Sequence, residues 1–189
     1  MIKDIALKNR SYRRFYEDLD ITKEQLLDLI DTARLVPSGG NNQPVRYIGC
    51  CNRETNAKIF STLKWAGYLT DWDGPTEGER PSAYVIVLHE TGKNPACDIG
   101  IACQTLLLAA VEQGMGGCFI ANVDRAALAQ IIDIPDGYSI NLVLALGYPK
   151  EKVVITEIEK DGDIKYYRDE NQTHYVPKYK TADIASFIE

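Results

Sequence analysis

Hydrophobic and polar positions along the chain switch repeatedly between helical and extended spacing. Residues 2–10 read as a short helix. Thr22 opens a second, with Gln25 three residues on in capping-box position, and Leu26, Leu27, Ile30 and Ala33 give it an apolar stripe. Pro37-Ser38-Gly39-Gly40-Asn41-Asn42 ends that helix in a polar, turn-rich loop. Val45 to Cys51 suits a strand and Asn56 to Lys64 a helix. Residues 65–81 hold two Trp, one Tyr, three Gly and two Pro, too irregular for one element and too aromatic for a linker, so they read as an ordered excursion or lid.

Ala83 to Leu88 is a buried-strand run. Asp98 to Gln113 is apolar nearly all round, which predicts a central, buried helix, with Asp98 as its N-cap and Gln104 as a satisfied core or interface amide. Gly114 to Gly117 turns the chain into a strand over Cys118 to Ala121. Asp124 caps a short helix reaching Ile132, and Asn141 to Gly147 is another buried strand. Val153 to Ile158 and Ile164 to Tyr167 flank Asp161-Gly162, a hairpin signal. The tail over 168–189 is largely polar, of the kind that wraps a partner subunit. The order of elements predicts a single α+β or mixed α/β domain over residues 1–189.

The 189 residues, 45% hydrophobic and 25% charged, suffice for one sizeable core. A net charge of −6 argues against a general nucleic-acid binder. Met1-Ile2-Lys3-Asp4 lacks the apolar run of a signal peptide, and Ile99 to Val111 is too short to span a bilayer. These features point to a soluble, cytoplasmic protein. Five cysteines without a Cys-x-x-Cys, and two histidines, argue against a zinc site. The cysteines read as packing residues, and His89 and His174 receive no role.

Against the acidic background, Asn9-Arg10-Ser11-Tyr12-Arg13-Arg14-Phe15 sets three guanidiniums and a serine hydroxyl within five residues. Arginine forks with a hydroxyl suit a phosphate; a solvated charge run at a helix end is the competing reading. Three further segments bear on the choice: Ser38-Gly39-Gly40-Asn41-Asn42-Gln43-Pro44, Gly114-Met115-Gly116-Gly117, and Pro177-Lys178-Tyr179-Lys180.

In this order and spacing the four segments resemble the FMN-dependent nitroreductase family, from about Ile5 to the C-terminal segment. The basic-Ser-x-basic opening, the Ser-x-x-Asn-x-Gln-Pro run at Ser38, Asn41, Gln43 and Pro44, the Gly-rich turn and Gly147-Tyr148-Pro149 carry the resemblance. It implies a three-layer α+β fold with a mixed, mainly antiparallel sheet in an intertwined homodimer. It also implies that Arg10, Ser11, Lys178 and Lys180 hold the FMN phosphate and ribityl oxygens, while Arg13 faces the N1/C2 edge of the ring and stabilises charge there on reduction. Pro37, Ser38, Gly39, Asn41 and Gln43 would reach the flavin from the other subunit, and Gly116 and Gly117 would bring main-chain N–H groups to its N5/O4 edge.

The implied reaction is ping-pong, from NADH or NADPH through the flavin to a nitroaromatic, quinone or similar small acceptor, with no side-chain nucleophile or metal. A same-fold flavin enzyme performing reductive dehalogenation or flavin fragmentation, and a non-enzymatic flavin-binding protein, are the alternatives. Asn9 stands where the family pattern favours arginine, with Arg14 or the tail lysines as candidates to compensate. The 65–81 excursion lies outside the pattern; Trp65, Tyr68 and Trp72 either stack on a flat substrate or pack the excursion, the second being the commoner use of large aromatics. Tyr166, Tyr167 and Tyr175 read as hairpin and tail packing.

Overall fold

The computed structural model describes residues 1–188. Four strands, β1 (Val45–Cys50), β2 (Ala83–Glu90), β3 (Gly116–Ile120) and β4 (Tyr138–Gly147), pair antiparallel in the order β1-β2-β4-β3. Successive strand residues face opposite sides of a sheet, and β2 is buried on both. Val85 and Val87 pack toward α2 (Lys23–Arg34) and α4 (Ala96–Glu112), against Leu29, Cys103 and Leu106. Tyr84 and Ile86 pack the other way, against Ile59 of α3 (Arg53–Phe60) and Leu128 of α5 (Arg125–Leu128). Helices thus cover both faces, giving the three-layer α+β arrangement that the family resemblance implies. No helix among the described residues is long and apolar enough to cross a membrane.

Local sequence explains most element ends. Thr22 and Gln25 form the reciprocal capping box of α2, at 3.2 and 2.9 Å. The buried stripe of α2 is Leu26, Leu29 and Ala33, while Leu27 faces solvent. α3 starts three residues earlier than the periodicity predicts, because the Asn52 carboxamide accepts the Thr55 N–H at 2.9 Å and caps it there.

Two expectations for α4 fail. Its N-cap is Pro95, not Asp98; the Asp98 carboxylate instead accepts the Gly39 N–H at 2.9 Å, drawing the 37–43 loop onto the first turn. The helix is also not buried all round. Ile99, Cys103, Leu106 and Ala110 are covered, whereas Gly100, Ile101 and Gln104 are exposed, so Gln104 is no core amide. The same outer side carries α1 (Ile2–Lys8), none of whose residues is buried.

The predicted C-terminal hairpin does not form. β5 (Val153–Ile158) pairs in parallel with β7 (His174–Tyr179) along its whole length, and β6 (Tyr167–Arg168) adds to the other edge of β7 antiparallel. Asp161-Gly162 does turn the chain, with Gly162 N–H donating to the Glu159 carbonyl at 2.8 Å. The segment after that turn offers only two pairing residues, whereas β7 offers six, so the non-local pairing wins. The chain then forms α6 (Thr181–Ile184). In the excursion, Trp65 is buried with its ring 5.7 Å from that of Phe60, and Trp72 lies beneath the Arg168 guanidinium at 4.1 Å. Both tryptophans therefore pack structure. Tyr68 is half-exposed, its ring 5.0 Å from Tyr166.

Candidate functional site

After α1 the arginine segment runs extended along the edge of the sheet. Ser11 bridges to Gly117, the Tyr12 N–H donates to the Gly117 carbonyl at 3.1 Å, and Phe15, fully buried, bridges to Pro149. A β-carbon on Gly116 would sit 2.6 Å from the Tyr12 ring and 2.8 Å from Pro149. The glycines thus let the arginine segment lie against β3. Gly116 and Gly117 are themselves buried beneath it, so the space their missing β-carbons leave is used within the chain.

Extended spacing separates the arginines. The Arg14 guanidinium grips Glu79 with two hydrogen bonds of 2.5 and 2.8 Å, and Lys150 joins at 3.0 Å, holding the Glu79 carboxyl down at about 2. Arg14 is therefore committed and does not replace the cation absent at Asn9. Arg10, Ser11 and Arg13 line a cleft of about 330 Å³ with Tyr166, His174 and Lys178. Among the described residues, three cations and no carboxylate line it. Arg10 donates from Nη2 to the Ala6 carbonyl at 2.6 Å, but its buried Nε has no protein partner. Burial lowers the Arg10 pKa, with the Tyr12 hydroxyl acting against that shift. A guanidinium so placed favours an anion.

Arg13 is buried and held from several sides. Its backbone N–H donates to Glu151 at 2.8 Å, Nη1 donates to the Ser11 carbonyl at 3.1 Å, and its guanidinium lies 5.0 Å from the centre of the Tyr166 ring. Nη1 is also 3.3 Å from Nε2 of His174. Arginine only donates, so Nε2 accepts and the proton of neutral His174 resides on Nδ1, which has no protein partner. Burial, then Arg13 and Arg168, lower the His174 pKa to about 4. Glu151, whose side chain is inaccessible, also takes Arg168 at 2.5 Å.

A second cavity of about 200 Å³ shares Arg13 and Tyr166 with the first and continues past Trp65, Cys118 and Asn122. The two cavities meet at Arg13 and Tyr166, with the Arg10 cations lining one and the start of the aromatic excursion lining the other. Burial raises the Cys118 pKa, so the thiol stays protonated and acts as packing.

The remaining sequence candidates lie elsewhere. Pro37, Ser38, Gly39, Asn41 and Gln43 form an exposed to half-exposed loop at the far end of α2, and Ser38 and Gln43 border a separate depression with Asp98. The loop is internally fixed: the Gln43 N–H donates to Ser38 Oγ at 3.0 Å, and Gly40, Asn41 and Gln43 have φ of 56°, 55° and 48°. Left-handed backbone at two non-glycine residues is strain of the kind that accumulates at ligand sites. Lys180 does not line the cleft; it pairs with Glu159. Conversely, His174, Tyr166 and Glu151 were not legible as site residues. Each meets Arg13 across more than 130 residues of chain, and no local spacing signals such a partner.

A nitroreductase family model matches residues 6–67 and 89–148, leaving out the later part of the excursion. A protein of Archaeoglobus fulgidus, provisionally named an NADH dehydrogenase/NAD(P)H nitroreductase, is 28% identical over 149 residues, covering 74% of this chain and 80% of its own. The 5,6-dimethylbenzimidazole synthase of Rhodospirillum rubrum is 23% identical over 180 residues, covering 81% and 84%. Among solved structures, an FMN-dependent nitroreductase of Clostridium difficile R20291 superposes with a TM-score of 0.60 at 22% identity, covering 77% of this chain and 87% of that one. The chain belongs to the nitroreductase family and is an oxidoreductase of that family.

Proposed function

We propose that the two cavities join as one elongated cleft that binds FMN, and that the protein passes electrons from NADH or NADPH to a small organic acceptor, a nitroaromatic or quinone in class. The observation that carries this reading is the Arg10 end of the cleft: among the described residues, three cations and no carboxylate line it, and the buried Arg10 Nε has no protein partner. Arg10, Ser11 and Lys178 would hold the phosphate there. The cavity beyond Arg13, bounded by Trp65 and Cys118, would take the flat ring. When bound, the flavin supplies the redox chemistry, accepting a hydride and returning two electrons.

The chain's own contribution is position and charge. Arg13 lines both cavities, so its fixed cation faces the middle of the cleft, where it would favour negative charge on the ring edge. Neutral His174 accepts from Arg13 and keeps the guanidinium aimed without cancelling its charge. Among the candidates taken from the family pattern, Lys180 is the least supported, given its pairing with Glu159.

We further infer that two copies of the chain share the site. The outer side of α1, α2 and α4 leaves Ile2, Leu7, Leu27, Leu35 and Ile101 exposed, a spread of apolar side chains that a second copy would cover. Such a copy could bring its own Pro37, Ser38, Gly39, Asn41 and Gln43 loop to the cleft, which this chain's loop does not line. Gly116 and Gly117 would then act by seating the arginine segment and not by touching the cofactor.

Anaerobic mixing of the flavin-loaded protein with NADH and with NADPH, followed by addition of nitroaromatic or quinone, tests the reaction. Bleaching of the flavin band by at least one nicotinamide and its return with acceptor are expected. No bleaching by either overturns the oxidoreductase reading. A second reading is favoured by the similarity to the Rhodospirillum rubrum synthase: fragmentation of the flavin itself, which would appear in air as loss of flavin with release of a benzimidazole.

A further inference from the structure

A smaller cavity lies away from the cleft, where the aromatic excursion rejoins the sheet, with Ala57, Phe60 and Pro81 among its walls. It has a volume of about 60 Å³ and is lined by Glu17, Arg53, Asn56, Arg80, Ser82 and Tyr84. Asn56, Ser82 and Tyr84 are each at least nine-tenths buried. Among the described residues, Asn56 Oδ1, Ser82 Oγ, the Tyr84 hydroxyl and Arg80 Nε all lack a protein partner. Four such atoms on the residues lining one small space are unusual, because buried polar groups are nearly always paired.

The chemistry of the set is specific. Arg80 lies on the Phe60 ring at 4.5 Å, which fixes the guanidinium plane. Burial holds the Tyr84 hydroxyl protonated, so it can donate. Asn56 Nδ2 already donates to the Ser82 carbonyl at 2.8 Å, leaving Oδ1 as an acceptor. The one lining carboxylate, Glu17, is engaged through Oε2 by the backbone N–H groups of Gly78 and Arg80, at 2.5 and 3.1 Å. Arg53, at the mouth, is paired with Asp20 at 2.8 Å. The set then offers a guanidinium and two hydroxyls to donate, and Asn56 Oδ1 and Glu17 Oε1 to accept, with the Arg80 charge set against that of Glu17. The volume exceeds the roughly 10–15 Å³ that one water needs, and admits a molecule of a few heavy atoms.

We propose that this cavity is a binding site for a small oxyanion that also carries an O–H, of the hydrogen phosphate or bicarbonate type. The anionic oxygens meet Arg80, Ser82 and Tyr84, and the O–H donates to Asn56 Oδ1. Arg80, Ser82 and Tyr84 lie outside the residues that the family model matches, whereas Glu17, Arg53 and Asn56 lie within them, so the site joins the segment that sets this chain apart to the common fold.

Calorimetric titration of phosphate, bicarbonate and sulfate into the FMN-saturated protein, at fixed ionic strength, tests this. Saturable binding of phosphate or bicarbonate is expected, the two arms separating a tetrahedral from a planar ligand, with sulfate at least tenfold weaker because it offers no O–H near neutral pH. Arg80→Gln should lower the affinity about ten- to a hundred-fold, and Tyr84→Phe, which changes one atom, by several-fold. Arg10→Ala should leave it unchanged, which separates this site from the main cleft whether or not that cleft takes FMN. The proposal is overturned by an absence of saturable binding, by sulfate binding as tightly as phosphate, or by affinities within twofold of wild type in both Arg80→Gln and Tyr84→Phe.

Discussion

Nη1 of Arg13 lies 3.3 Å from Nε2 of His174, joining the first extended segment of the chain to β7 across 161 residues. The pair fixes two things together: the guanidinium stays where it lines both cavities, and the imidazole is held neutral. A proton on His174 would face both Arg13 and Arg168.

That relationship sets a pH dependence. The folded-state pKa of His174, about 4, lies below the ordinary 6.5. Between these values the unfolded chain binds more protons, so stability falls as pH drops through the window. From pH 7 to pH 5 the loss attributable to this group is about 2 kcal/mol. Urea unfolding at the two pH values should show it in wild type and not in His174→Gln, whose side chain can still accept from Arg13. Glu79, with its pKa near 2, adds its own loss only at lower pH, below the ordinary carboxylate value of 4.5.

Glu151 is the hinge of the polar layer under the cleft. It accepts the Arg13 N–H and pairs with the largely buried Arg168. Glu151→Ala would leave that guanidinium buried without its counter-charge, and breaking a pair in this way costs about 3–5 kcal/mol. Denaturant midpoints should fall accordingly, with a smaller loss in Glu151→Gln, which keeps an acceptor. A change under 1 kcal/mol in Glu151→Ala would contradict the structural role.

Much of this was written in local sequence. The Thr22–Gln25 capping box, the doubly buried run of β2 and the grouping of Arg10, Ser11 and Arg13 follow from patterns a few residues long, whereas Lys178 joins them in the cavity across the whole chain, as only the family resemblance implied. What local pattern could not supply was long-range competition. Asp161-Gly162 signals a turn, but nothing near it shows that β5 would choose β7 over the strand beyond the turn. Asp98 looks like a cap until the 37–43 loop arrives to claim its carboxylate. Apolarity on both sides of α4 predicts burial, yet it does not say whether the cover comes from the same chain or from a second copy.

The last point bears on the dimer. Ile101 sits on the open side of α4. Ile101→Asp would place a charge in the proposed subunit contact, and sedimentation should report a monomer where wild type is a dimer. FMN affinity should fall with it, because the Ser38 loop of the second copy would be lost. A monomeric Ile101→Asp that keeps full FMN occupancy would contradict the shared site.

The most direct measurement of the central claim is the FMN affinity of wild type and Arg10→Ala, followed by flavin fluorescence quenching. If the arginine segment forms the phosphate end of the cleft, removing this one charge-assisted contact costs about 1.5–3 kcal/mol. That weakens binding roughly ten- to a hundred-fold, with riboflavin, which lacks the phosphate, affected far less. Equal FMN affinity in the two proteins would place the phosphate elsewhere and contradict the account.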